Sequence, residues 1–257
     1  MLKIDGNFVI ELKEREIKMK TNQIIHTADS RGFANHGWLI THHTFSFAGY
    51  NNPERVHFGV LRVLNDDYIA GGMGFGTHPH DNMEIISIPL SGDLAHKDSL
   101  GSEGIIKNGE IQVMSAGTGV THSEYNANKD EAVTLLQIWL SPDKRNVTPR
   151  YDQLKYDLKP NEFTQVVSPN ADDEGLWIHQ NAWFHLADFT AGNERSYELK
   201  DPSNGIYLFI ISGDLTVNGN ELHARDAIGI WDEKSIDIKA TSDARFLIME
   251  VPMELTY

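Results

Sequence analysis

The sequence predicts an all-β protein made of two β-barrels in tandem, and three observations carry that reading. Short apolar stretches, such as Phe58 to Leu64 and Ala132 to Leu140, alternate with Gly, Asn, Asp and Pro turn signals. Few stretches longer than about ten residues hold a helical apolar period. An internal echo supplies the third: Ile88-Pro89-Leu90-Ser91-Gly92-Asp93-Leu94 returns as Phe209-Ile210-Ile211-Ser212-Gly213-Asp214-Leu215.

Each copy of the echo is followed by a turn signal and a Gly-containing strand, Glu110 to Gly119 in the first and Leu222 to Gly229 in the second. Asn108-Gly109 and Asn218-Gly219 are the hairpin candidates, because both turn residues tolerate positive φ. Residues 1–22 read as an added, flexible leader, with Met19 an alternative start. Residues 23–150 make the first barrel, and 151–257 hold a connector and a degenerate second barrel. The connector, Ser141 to Gly175, contains Pro142, Pro149, Pro160 and Pro169, and Pro149 to Leu158 is expected to supply one of a few short helices.

Composition narrows the function. The 22 Lys and Arg against 37 Asp and Glu give a formal charge of -15, which repels phosphate backbones and anionic lipid, so direct nucleic-acid binding is not expected. The absence of cysteine excludes disulfides and thiol catalysis, leaving histidine and carboxylate as metal ligands. Charged residues throughout Met1 to Lys20 leave no apolar signal-peptide core, and no run approaches the roughly 18 apolar residues of a membrane span. A cytoplasmic protein is expected.

Chemistry concentrates in two motifs. His78-Pro79-His80 and His122-Ser123-Glu124 each place two ligand-type side chains at i and i+2, on one face of a strand. Together they offer a divalent transition metal three imidazoles and a carboxylate, and an octahedral ion keeps positions open for substrate. Glu84, four residues after His80, is an alternative ligand to Glu124, and its other reading is a buried carboxylate beside the ligands. Asn126 shares parity with His122 and is a candidate to support the site. Met73 and Phe75 stand among Gly72, Gly74 and Gly76, whose freedom to bend can swing them over the pocket.

Other histidines have plainer readings. His96, just past a turn, reads as a hydrogen-bonded structural residue with pocket contact as its alternative. His36, His42 and His43 lack ligand spacing and are expected to pack near the barrel lip. His179 and His185, with Trp177, Trp183 and Phe184, fit a strand core. Carrying the first motif across by the spacing of the two Ser-Gly-Asp-Leu copies lands on Leu199 and Asp201, and the second motif falls near Trp231-Asp232-Glu233. Histidine chemistry therefore belongs to the first barrel alone.

The glycine and histidine spacing from Gly72 through Gly92 and from Gly109 through Asn126 resembles the paired motifs of the cupin superfamily. His78-Pro79-His80-x3-Glu84 and Met114 to Asn126 resemble the pirin family more specifically, and Arg31 to Trp38 with His43-Thr44-Phe45-Ser46-Phe47 resemble its bacterial branch, which includes quercetin 2,3-dioxygenases. Ser115, where general cupins have proline, and the longer Gly117 to His122 spacing both suit pirins. The resemblance implies two jelly-roll cupin barrels, with one metal held by His78, His80, His122 and Glu124 and with Glu84 close by but not a ligand. It implies Fe(II) first, with Zn, Ni, Cu or Mn as alternatives. The implied activity is flavonol cleavage by dioxygen with release of carbon monoxide, the metal acting as a Lewis acid and Glu124 as general base. A pirin-like regulator acting through a protein partner is the competing reading. A cupin isomerase or hydrolytic enzyme ranks third, because only Arg62 and Lys97 lie near the motifs to grip a phosphate.

Overall fold

The computed structural model describes residues 22–255, so the expected leader lies almost wholly outside the described residues. Two barrels are present, and each is built from a seven-stranded and a four-stranded sheet. The large sheet of the first runs Arg150–Lys155, Glu110–Ser115, Glu84–Ser91, Val133–Leu140, Leu61–Ile69, Leu39–His43, Gly32–Asn35. Its small sheet runs Gly74–His80, Val120–Asn126, Leu94–Asp98, Glu103–Ile106. In the second barrel the large sheet runs from Gln23–His26 through Ala227–Ile230, Asn204–Ser212, Ala244–Pro252, Trp183–Phe189 and Phe163–Ser168 to Leu176–Trp177.

The echo in sequence is an echo in structure. Gly92 and Gly213 both adopt positive φ, 69° and 80°, at the corner where the chain passes from the large sheet to the small one. A Cβ on Gly92 would stand 2.9 Å from the Ala132 carbonyl oxygen, and one on Gly213 would stand 2.2 Å from that of Asp243. In both barrels the corner therefore packs its backbone against the start of the last strand, which a side chain would prevent.

Alternation along the strands divides the core. Leu136, Ile138 and Leu140 face outward and join Ile86, Ile88, Phe184, Leu186, Phe209, Leu247 and Met249 in one apolar cluster that cements the barrels together. Leu135, Gln137 and Trp139 face into the first barrel. Burying the outward face is what fixes the register of these strands.

Three expectations are corrected. Pro149 to Leu158 is not helical: Arg150–Lys155 is a strand paired with Glu110–Ser115. Its spacing of Tyr151, Leu154 and Leu158 imitates a helical period, but the strand sends Tyr151 over His96 and Leu154 into the cluster between the barrels. The only helical element among the described residues is a 3-10 turn at Ala28–Ser30. Asn218-Gly219 does close a hairpin, both residues having positive φ, but Asn108-Gly109 joins strands of different sheets. The ranges 23–150 and 151–257 are also crossed by two strands, since Gln23–His26 pairs with Ala227–Ile230 of the second barrel and Arg150–Lys155 belongs to the first. No helix among the described residues is long and apolar enough to cross a membrane.

Candidate metal centre

Strands Gly74–His80 and Val120–Asn126 lie antiparallel, with His122 opposite His78 and Val120 opposite His80. The i, i+2 relation puts His78 and His80 on one face, and the register brings in His122 from the neighbouring strand. Ring centroids stand 4.4 Å apart for His78 and His122, and 4.9 Å for His80 against either. A bulge follows, so Glu124 falls opposite Phe75.

Protonation states follow from contacts. His78 Nδ1 lies 2.8 Å from the Gly76 carbonyl oxygen, which can only accept, so Nδ1 donates there and Nε2 is the nitrogen left to face a metal. His80 Nε2 and both nitrogens of His122 are buried with no hydrogen-bond partner among the described residues. Burial, then the neighbouring His78, lowers the pKa of His80 to about 4, and burial with three neighbouring histidines lowers that of His122 further. Imidazoles with nitrogens converging at one place are the donor set of a divalent metal, and the ligand atoms of His78, His80 and His122 all lie within 4.8 Å of one another.

Glu124 is fully buried beside this triad. Ser87 Oγ donates to its Oε1 at 3.0 Å, and Gln137 Nε2 donates to Oε2. Its potential ligand atom groups with those of His122 and His96. His96 is hydrogen-bonded, as its first reading expects, with Nε2 held 3.0 Å from Asp98; it does not line the cavity, and its Nδ1 is buried without a partner among the described residues, near His122. Its ring stacks on Tyr151 at 4.5 Å. Burial pushes the Asp98 carboxyl up, but His96 and the Ser102 and Leu100 amides outweigh it and hold it below the usual range.

The triad opens on a cavity of about 270 Å³. Phe47, Phe75 and Trp139 give it aromatic walls, with Trp139 edge-on to His80 at 4.8 Å and Phe75 6.4 Å from His78. Thr41, His43, Asn65, Asp67 and Gln137 form its polar side. Burial raises the Asp67 carboxyl to about 7. Thr41, Asn65, Asp67 and Gln137 were not singled out from the sequence, although a signal existed: Asn65, Asp67 and Gln137 interrupt otherwise apolar strands at inward positions. His36 and His43 line the cavity as well, whereas half-buried His42 packs at a tilt against Phe33 outside it.

Three other residues take places of their own. Glu84 and Ser87 are three apart on one strand, so Glu84 faces away from the barrel interior. Ser115 Oγ donates to it at 2.7 Å, and burial pushes its carboxyl up to about 7. The turn at Asp81 to Met83 breaks the parity that linked it to His80. Asn126 lies on the inward face but spends its amide on the carbonyls of Ile69 and Glu131, tying the chain at the far end of the strand. Met73 gives its carbonyl to the Asn126 amide, while its side chain is exposed and does not line the cavity.

In the second barrel the strand matching Val120–Asn126 by sheet order is Ser235–Ala240, not the expected Trp231 to Glu233. Its inward residues are Ile236, Ile238 and Ala240, which with Tyr197 pack an apolar interior. His185 there bonds Tyr197, and Trp177 lies under the Arg150 guanidinium.

Residues 25–140 match the model of the pirin family, and residues 165–251 match that of the quercetinase C-terminal cupin domain. The chain belongs to the pirin family. A quercetin 2,3-dioxygenase of Escherichia coli (strain K12) is 42% identical over 88% of this chain and 96% of its own length. A pirin-like protein of Caulobacter vibrioides is 39% identical over 86% of this chain and 96% of its own. The crystal structure of a bacterial pirin from Escherichia coli in complex with nickel(II) superposes with a TM-score of 0.85 at 40% identity, covering 90% of this chain and 99% of that one. The pirin fold thus provides a divalent-metal site, and the buried histidine cluster is the part of this chain that suits it.

Proposed function

We propose that this pirin is a metal-dependent dioxygenase that cleaves flavonols such as quercetin and releases carbon monoxide. The observation that carries the reading is the convergence of the His78, His80 and His122 imidazoles, with His80 Nε2 and both His122 nitrogens unpartnered, on an aromatic-walled cavity. These three residues with Glu124 would hold the metal, Fe(II) first, and nickel(II) gains weight from the complex of the related pirin. When bound, a divalent ion supplies Lewis acidity toward a substrate oxygen.

The chain's own residues do the rest. Phe47, Phe75 and Trp139 receive a flat ring system and exclude water from it. Asn65 and Thr41 orient polar groups on the ring, with His43 fixed by its 2.9 Å bond to Asn65. Glu124 accepts the proton of the 3-hydroxyl at Oε1, from which the Ser87 hydroxyl is free to rotate. Asp67, its carboxyl raised by burial to about 7, in its protonated form adds no second negative charge to a substrate that is becoming an anion.

Aerobic loss of the quercetin absorbance band, measured with protein reconstituted in ferrous iron and in nickel(II), tests this. Turnover with stoichiometric carbon monoxide, absent in His78→Ala, is the expected result. Equal inertness of both proteins with iron, nickel, copper and manganese would overturn it and turn attention to a protein partner.

A further inference from the structure

A second cavity, of about 280 Å³, opens where the two barrels meet. Phe45 and Phe58 of the first barrel and Trp231 of the second line it, and the Phe58 ring stands 6.2 Å from that of Trp231. His26, only 3% exposed, belongs to the same lining. Its Nδ1 lies 2.7 Å from the hydroxyl of Tyr207. Tyr207 is wholly buried, and this nitrogen is the only hydrogen-bond partner recorded for its hydroxyl among the described residues. Donation by the hydroxyl to Nδ1 leaves fewer polar groups unpaired than the reverse, which would orphan both the phenol proton and Nε2, and it puts the ring proton on Nε2. That N–H has no partner. Buried donors are nearly always satisfied, so one left open at a cavity points to a ligand acceptor.

Charge and size define the class. Arg55 at the rim spends its guanidinium on Ser30, at 2.8 and 2.9 Å, and the exposed Glu54 beside it offsets its charge. Burial, with Arg55 second, lowers the pKa of His26 to about 4, so the imidazole is neutral in ordinary buffers. The volume lies at the lower edge of that of sites for drug-sized ligands. We propose that this cavity is a second ligand site, which takes an uncharged single- or fused-ring aromatic compound whose carbonyl oxygen accepts the His26 Nε2–H. The site does not depend on the proposed dioxygenase activity. It does share a wall with the metal cavity: Phe45 lines one, while His43, Phe47 and Ala48 line the other.

Zinc-loaded protein titrated with acetophenone, and separately with ethylbenzene as the same ring without an acceptor, provides the test. Intermolecular NOEs from acetophenone to Phe45, Phe58 and Trp231 are expected, which separate direct contact from shifts relayed through the shared wall. Acetophenone should bind about five- to tenfold tighter than ethylbenzene, as one neutral hydrogen bond allows. His26→Phe should abolish that difference. Trp231→Ala, at a partly exposed site, should weaken both probes at least about tenfold while leaving the spectrum of the first-barrel strands unchanged. NOEs confined to Phe75 or Trp139, an acetophenone preference that survives His26→Phe, or no saturable binding to the wild-type protein would each overturn the proposal.

Discussion

The side-chain amide of Gln137 donates to Glu124, and Ser87 takes the other oxygen of the same carboxylate. Two strands of the large sheet thus hold an acid that belongs to the small sheet, and the hold makes a prediction. Gln137→Leu should free one oxygen of Glu124 and weaken divalent-metal affinity about 10- to 100-fold, the usual effect of removing a group that orients a ligand. Competition titration against a chelating dye would show this, and unchanged affinity would mean that Glu124 does not bind the metal.

Metal and fold are linked through the triad. With free metal at 100 times its Kd, thermal unfolding should reveal about 2.7 kcal/mol of added stability in the wild type. A chelator should remove it, and His78→Ala should lack it, since that change deletes one of three converging nitrogens.

Glu84 distinguishes a buried carboxylate from a ligand. Its pKa rises on folding from 4.5 to about 7, mainly through burial, so the native state holds the proton more tightly. Stability conferred by the protonated form is present below about pH 4.5 and is lost as pH rises through 7. Glu84→Gln keeps an acceptor for Ser115 and cannot ionise. At pH 8 the variant should be more stable by at most about 3 kcal/mol, with metal affinity unchanged. A loss of metal binding would return Glu84 to the site.

Acid acts on the second barrel in the opposite sense. Burial lowers His185 from 6.5 to about 4, so the unfolded chain binds the extra proton first. Its contribution to stability is complete above pH 6.5 and disappears as pH falls toward 4. His185→Gln should flatten this part of the stability profile in urea titrations.

Gly117 fixes the loop before His122. Its φ is 47°, and a Cβ there would lie 2.0 Å from the Val147 carbonyl oxygen. Gly117→Ala should cost about 1 to 3 kcal/mol in chemical denaturation, and an unchanged midpoint would mean that the loop relaxes freely.

Short-range patterns in the chain were enough to determine the all-β class, the duplication and the histidine motifs, because strand alternation and the Ser-Gly-Asp-Leu corners are written in neighbouring residues. His78 and His80 could be placed on one face for the same reason. Which face, and in whose company, was decided by tertiary structure. Glu84 turned outward because a turn reset its parity, and Arg150–Lys155 became a strand because Glu110–Ser115 offered it an edge. His96 reached the cluster, and Asn65, Asp67 and Gln137 lined its cavity, through pairings between strands far apart in sequence. Such contacts depend on register and closure of the barrel, which no local spacing encodes.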